Sequence, residues 1–115
     1  MKEGREHTQA AIPTKEQILG YLRLMKDELR QEGISEIGLF GSYAKDRADM
    51  ASDIDIILQT SEAFAQKHGG IGAVLFLDEL RMRMMREFKM KVEICDSFLM
   101  SEERRNSLLD GAIYV

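Results

Sequence analysis

The chain has one cysteine, one proline and no tryptophan in 115 residues. A lone Cys95 excludes an internal disulfide, so the fold must rest on its apolar core and needs no oxidising compartment. Long apolar runs are missing too. No segment approaches the roughly 18 uninterrupted apolar residues that span a bilayer, and residues 1–11 are polar, without the apolar stretch of a signal peptide. The expectation is a cytoplasmic protein with no membrane contact, a flexible N-terminal segment over 1–13 and a single domain over 14–115. An excess of positive charge is also absent: sixteen Lys and Arg face twenty Asp and Glu, for a net charge of −4. That is the opposite of the basic footprint of a protein that tracks a nucleic-acid backbone, so direct nucleic-acid binding is not expected. Repeats, heptads and low-complexity tracts are lacking, and the length excludes several independent cores.

What is present is an ordinary globular balance, 44% hydrophobic and 31% charged, patterned as alternating helices and strands. Thr14, with Gln17 three residues on, reads as a capping box. Ile18, Leu22, Met25 and Leu29 then recur at helical spacing up to Gly33, which suits a left-handed cap, and predict a helix over 15–32. Residues 35–40 read as a short buried strand that turns at Gly41-Ser42 into a brief helix begun by Tyr43-Ala44-Lys45. After a polar loop over 46–52, the isoleucine-rich stretch 53–58 is a central strand. Residues 59–72 are polar, end in Gly69-Gly70 and read as a connection. A helix over 73–88 follows, with Ala73, Leu77, Leu80, Met84 and Phe88 on one face and Leu75, Met82 and Met85 on the opposite one. Residues 90–95 alternate as a third strand, and Ser101 caps a last helix through 110. The order is αβαβαβα, an α/β (α+β) class with a small mixed sheet flanked by helices.

Strand periodicity puts Asp53 and Asp55 on one face, about 6.5–7 Å apart along the strand, with Ile54 and Ile56 turned to the core. Two such carboxylates repel and raise each other's pKa unless a cation sits between them, and Mg²⁺ is the natural neutraliser. Their alternative is a pair of solvated acids at a strand end. Gly41-Ser42 supplies backbone N–H groups and a hydroxyl to phosphate oxygens, or else is only a tight strand-to-helix connection. Glu93 lies across its strand from Val92 and Ile94. It reaches the same cleft if that strand lies beside the aspartates, or else is a solvated residue paired with Lys91 or an arginine. Together these parts supply what nucleotidyl transfer needs: a grip on the triphosphate, two metal positions and an acid near the attacking hydroxyl. Elsewhere, His7 and His68 lack companions at zinc spacing and are expected at the surface. Cys95 reads as a buried or half-buried structural thiol. Arg83, with Glu79 and Glu87 four residues to either side, reads as part of a salt-bridged solvated face. The stripe of Leu75, Met82 and Met85 either meets a protein partner or is covered by the N-terminal segment or the last helix.

Joined in this order, Phe40-Gly41-Ser42-Tyr43-Ala44-Lys45 and Ser52-Asp53-Ile54-Asp55-Ile56-Ile57-Leu58 resemble the nucleotidyltransferase signature of the DNA polymerase beta superfamily. The compact length, the Lys91-Val92-Glu93-Ile94 strand and the ending Gly111-Ala112-Ile113-Tyr114-Val115 resemble the minimal nucleotidyltransferases, and the likeness covers about residues 15–115. The resemblance implies that Asp53 and Asp55 hold two Mg²⁺ ions, joined by Glu93 as third acid. It assigns Gly41, Ser42 and Lys45 to the nucleotide, with ATP as substrate. It further implies an antitoxin that transfers AMP to a tyrosine of a HEPN-domain toxin, while the apolar stripe would serve such a partner or a homo-oligomer equally well. Glu93 departs from the usual aspartate, and Lys45-Asp46 from the usual arginine-glycine. These departures favour the alternative of a catalytically weak module that neutralises its partner by contact. Transfer to a small molecule, as in antibiotic-modifying relatives, is a further alternative, though those relatives usually carry an added helical domain.

Overall fold

The computed structural model describes residues 12–115. The expected flexible segment 1–13 therefore lies outside the described residues except for its last two, as does His7. Helix α1, Lys15–Glu32, opens with the capping box: the Thr14 N–H donates to Gln17 Oε1 at 2.8 Å, and the Gln17 N–H donates to Thr14 Oγ1 at 3.0 Å. Gly33 closes it at φ 101°, where any side chain would run into the backbone of Phe64. Thr14→Ala should cost about 1 kcal/mol, read as a lower urea midpoint at an unchanged slope.

Strand β1, Glu36–Phe40, runs into the single turn of α2, Gly41–Ala44, and strand β2 spans Ile54–Gln59. Helix α3, Glu62–Phe88, leads to strand β3, Val92–Asp96, then to a 3-10 turn at Ser97–Leu99 and helix α4, Glu102–Leu108. Strand β4, Ile113–Tyr114, completes a four-stranded sheet ordered β3-β2-β1-β4. β1 pairs antiparallel with β2 and with β4, while β2 and β3 run parallel.

Alternation along the strands decides which face is dry. Ile37, Leu39, Ile54, Ile56, Leu58 and Val92 meet Ile18, Leu22, Met25 and Leu29 of α1 and Leu80, Met84 and Phe88 of α3 in one core. Each of these buried side chains contributes about 1.5–3 kcal/mol relative to exposure. No described helix is long and apolar enough to cross a membrane.

Three expectations need correction. Residues 59–72 are not a connection. Helix α3 begins at Glu62, capped by Ser61 Oγ, which accepts from the Phe64 N–H and donates to the Gly33 carbonyl at 2.6 Å. The helix kinks at Gly69 (φ 72°, ψ −176°), and burial of Phe64 holds its first turns to the core. The last five residues also contain β4, which approaches β1 closely because position 38 is glycine; a Cβ there would lie 2.5 Å from the Ile113 carbonyl oxygen. The second apolar stripe divides: Met85 packs against the core, while Leu75 and Met82 remain exposed.

Candidate active site

The two faces of the sheet have different tasks. With Ile54 and Ile56 fully buried under the helices, Asp55 of β2 and Asp53 just before it lie on the opposite face. The parallel register sets Asp55 opposite Glu93 and Ile57 opposite Cys95, so the third carboxylate joins the same face from the neighbouring strand. The antiparallel register sets Phe40 opposite Asp55, which brings the start of α2 against that carboxylate. Gly41 there has φ 76°, and a Cβ would collide with Asp55 Oδ2. Glycine is therefore required twice over, by backbone conformation and by the approach of Asp55. α2 is pinned from behind by buried Tyr43, whose hydroxyl donates to the Pro13 carbonyl at 2.9 Å.

Electrostatics follow from this crowding. Burial raises the Asp55 pKa above the usual carboxylate value, and neighbouring Asp53 and Glu93 push it further up. Lys91 stands on the same face, two residues before Glu93, its ammonium 3.3 Å from Glu93 Oε2 and 3.9 Å from Asp53 Oδ2. Cys95 is a half-buried thiol, raised by burial first and by Asp55 next. Among the described residues, no three His, Cys, Asp or Glu side chains stand close enough, as placed, to enclose one ion. The donor set nevertheless suits a hard cation: the carboxylates share one face of the sheet, and the repulsion of Asp53 and Glu93 at Asp55 is what such an ion would relieve.

Ser42 lies half-buried in α2 beside Gly41, and its carbonyl accepts from the Arg47 N–H at 2.8 Å. Lys45 is exposed at the C-terminal end of α2, its aliphatic stem alongside Gly111. Asp46 occupies the glycine-preferring left-handed region at φ 59°, which aspartate tolerates better than most residues. Its carboxylate pairs with the Lys15 ammonium at 2.9 Å, and that hydrogen bond raises the pKa of Lys15. Both departures from the arginine-glycine pattern are thus accommodated at the end of α2.

Other expected surface features are rearranged. His68 is not a free surface residue: its ring packs at a tilt against both Phe64 and Phe76, each ring centroid 4.7 Å away, with Nε2 2.9 Å from Glu32 Oε1. Arg83 pairs with Glu28 of α1 rather than with Glu79 or Glu87, and Arg81 pairs with Asp78. The link from Lys91 to Asp53 lies outside the sequence reading. The alternation that aligns Lys91 with Glu93 is the signal for it, but the parallel register was needed to bring Asp53 within reach.

A protein of Thermococcus cleftensis named Protein adenylyltransferase MntA is 43% identical over 53 residues, a stretch that covers 45% of this chain and 54% of that relative. The aligned stretch thus spans about half the length of the curated relative. Residues 22–114 match the nucleotidyltransferase domain family. That match takes in the glycine-serine turn, both aspartates and Glu93, together with all four strands that hold them on one face, and the chain belongs to the nucleotidyltransferase domain family.

Proposed function

We propose that this protein is a Mg²⁺-dependent adenylyltransferase that moves AMP from ATP to a protein hydroxyl. The observation that carries the reading is the placement of Asp53, Asp55 and Glu93 on one face of the sheet, with Gly41 against Asp55. In this reading Asp53, Asp55 and Glu93 hold the metal, which supplies charge neutralisation and Lewis acidity toward the phosphates. Gly41 and Ser42 receive the outer phosphates, and Lys45 adds a point charge beside them. The acceptor oxygen bonds to the α-phosphorus as the bond to the bridging oxygen breaks. Pyrophosphate departs with that electron pair, and the Glu93 carboxylate is the base we assign to take the hydroxyl proton. The described residues form one layered domain around one core, and we place the acceptor on a partner protein. A tyrosine of a HEPN-domain toxin is the acceptor we favour, which makes this chain the antitoxin of the pair, acting in the cytoplasm. The name of the Thermococcus relative supports adenylyl transfer.

A second reading, neutralisation of the partner by contact alone, is favoured by the exposed Glu93 carboxylate being already paired with Lys91. The deciding experiment is the intact mass of a HEPN-domain partner after incubation with this protein, Mg²⁺ and ATP. An added adenylyl mass that is lost with Asp53→Asn is expected. A stable complex without added mass would transfer the assignment to the contact-only reading.

A further inference from the structure

Three carboxylates share the open face, and Lys91 is the cation that reaches two of them. The position of Lys91 is set by the backbone: its carbonyl accepts from the Ile54 N–H at 2.9 Å, which docks the start of β3 beside Asp53. Its ammonium then spans acids from different strands, Glu93 Oε2 at 3.3 Å and Asp53 Oδ2 at 3.9 Å. Among the described residues no cation pairs with Asp55. The Lys91 side chain is 62% exposed, and exposed pairs of this kind are weak and easily exchanged. A lysine ammonium is a compact charge on a flexible stem, able to withdraw without disturbing the strand beneath it.

From this geometry we infer that Lys91 is the resident counter-ion of the carboxylate cluster, a positioning residue that holds Asp53 and Glu93 together before a divalent cation arrives and competes with that cation for the same oxygens. The inference rests on the metal-dependent reading above. It assigns Lys91 no contact with the reacting atoms. Its consequence is that the protein trades affinity for its metal against order in the metal-free cluster.

The test is calorimetric titration with Mg²⁺ alone, without nucleotide, on the wild type, Lys91→Met and Lys67→Met. Lys67 serves as control because its ammonium pairs with Glu32, away from the cluster. Removing a unit charge adjacent to a bound divalent ion should tighten Mg²⁺ binding roughly three- to tenfold in Lys91→Met after solvent screening. Lys67→Met should leave the affinity unchanged. The metal-free Lys91→Met protein should also melt lower, by on the order of 3 °C, with the difference closing as Mg²⁺ saturates. Unchanged or weaker Mg²⁺ binding in Lys91→Met, where wild-type binding is present and lost in Asp55→Asn, overturns this inference and leaves the metal-dependent reading intact. A wild type that takes up no Mg²⁺ overturns both.

Discussion

Asp55→Asn should abolish nucleotidyl transfer and, at neutral pH, raise the melting temperature of the metal-free protein. The two effects have one cause. Burial raises the Asp55 pKa, and Asp53 and Glu93 raise it further, so the folded protein resists the ionised form. When the pKa is higher in the folded state than in the unfolded chain, no penalty exists while both are protonated, at a pH well below the unfolded value of about 4. The penalty grows as the pH rises through that value and is complete above the folded pKa. Asparagine keeps the shape and removes the charge, so its gain in stability should be present at pH 7 and fade on acidification toward pH 3. On the proposed reading the chemistry moves the other way: loss of a carboxylate assigned to the metal would remove several kcal/mol of transition-state stabilisation, a fall of at least about a hundredfold in rate. Melting curves from pH 3 to 7, paired with the partner mass assay, would check both. Transfer at the wild-type rate would remove Asp55 from the machinery, and a gain of equal size at every pH would remove the charge explanation. Asp53→Asn should show the same loss of transfer.

Gly41→Ala should lose stability and activity together. The residue sits at φ 76°, where an L side chain costs roughly 1–2 kcal/mol, and its new methyl would collide with Asp55 Oδ2. Either the turn or the carboxylate must shift, so a total near 3 kcal/mol is expected, with transfer reduced about a hundredfold because the misplacement falls at the reacting centre. Gly70→Ala is the matched control. That glycine has open space around it and no positive φ, so alanine should be neutral or stabilise the helix by up to about 1 kcal/mol. A Gly41→Ala protein as stable and active as the wild type would show that the turn adapts freely and holds nothing. The contrast with Asp55→Asn is diagnostic, since one substitution uncouples stability from transfer and the other damages both.

Much of the architecture is legible locally. Thr14 and Gln17 announce the start of α1, and the alternation around Ile54 and Ile56 settles which way Asp53 and Asp55 point. Each of these depends on residues within a turn or two of one another. The errors have the opposite character. Gly69-Gly70 resembles the end of a segment, yet the helix continues through the kink because Phe64 is buried and Ser61 ties its start to the end of α1. β4 is only two residues long, too short for any periodicity, and exists because Gly38 leaves room for it against β1. Arg83 prefers Glu28 on another helix to the acids four residues away on its own.

By itself, the amino-acid sequence determined the caps of α1 and the N-cap of α4, the buried faces, the pairing of Asp53 with Asp55 on one side of a strand and the glycine turn before them. Hydrogen-bond geometry and side-chain periodicity act over a few residues, and they are written in the local order of the chain. Only the tertiary structure decided that β3 runs parallel beside β2 with Glu93 facing Asp55, that Gly41 abuts that carboxylate, and that Lys91 spans two of the acids. Strand order and register depend on how distant apolar faces bury one another, so the chemistry of the open face is settled by the core on the other side.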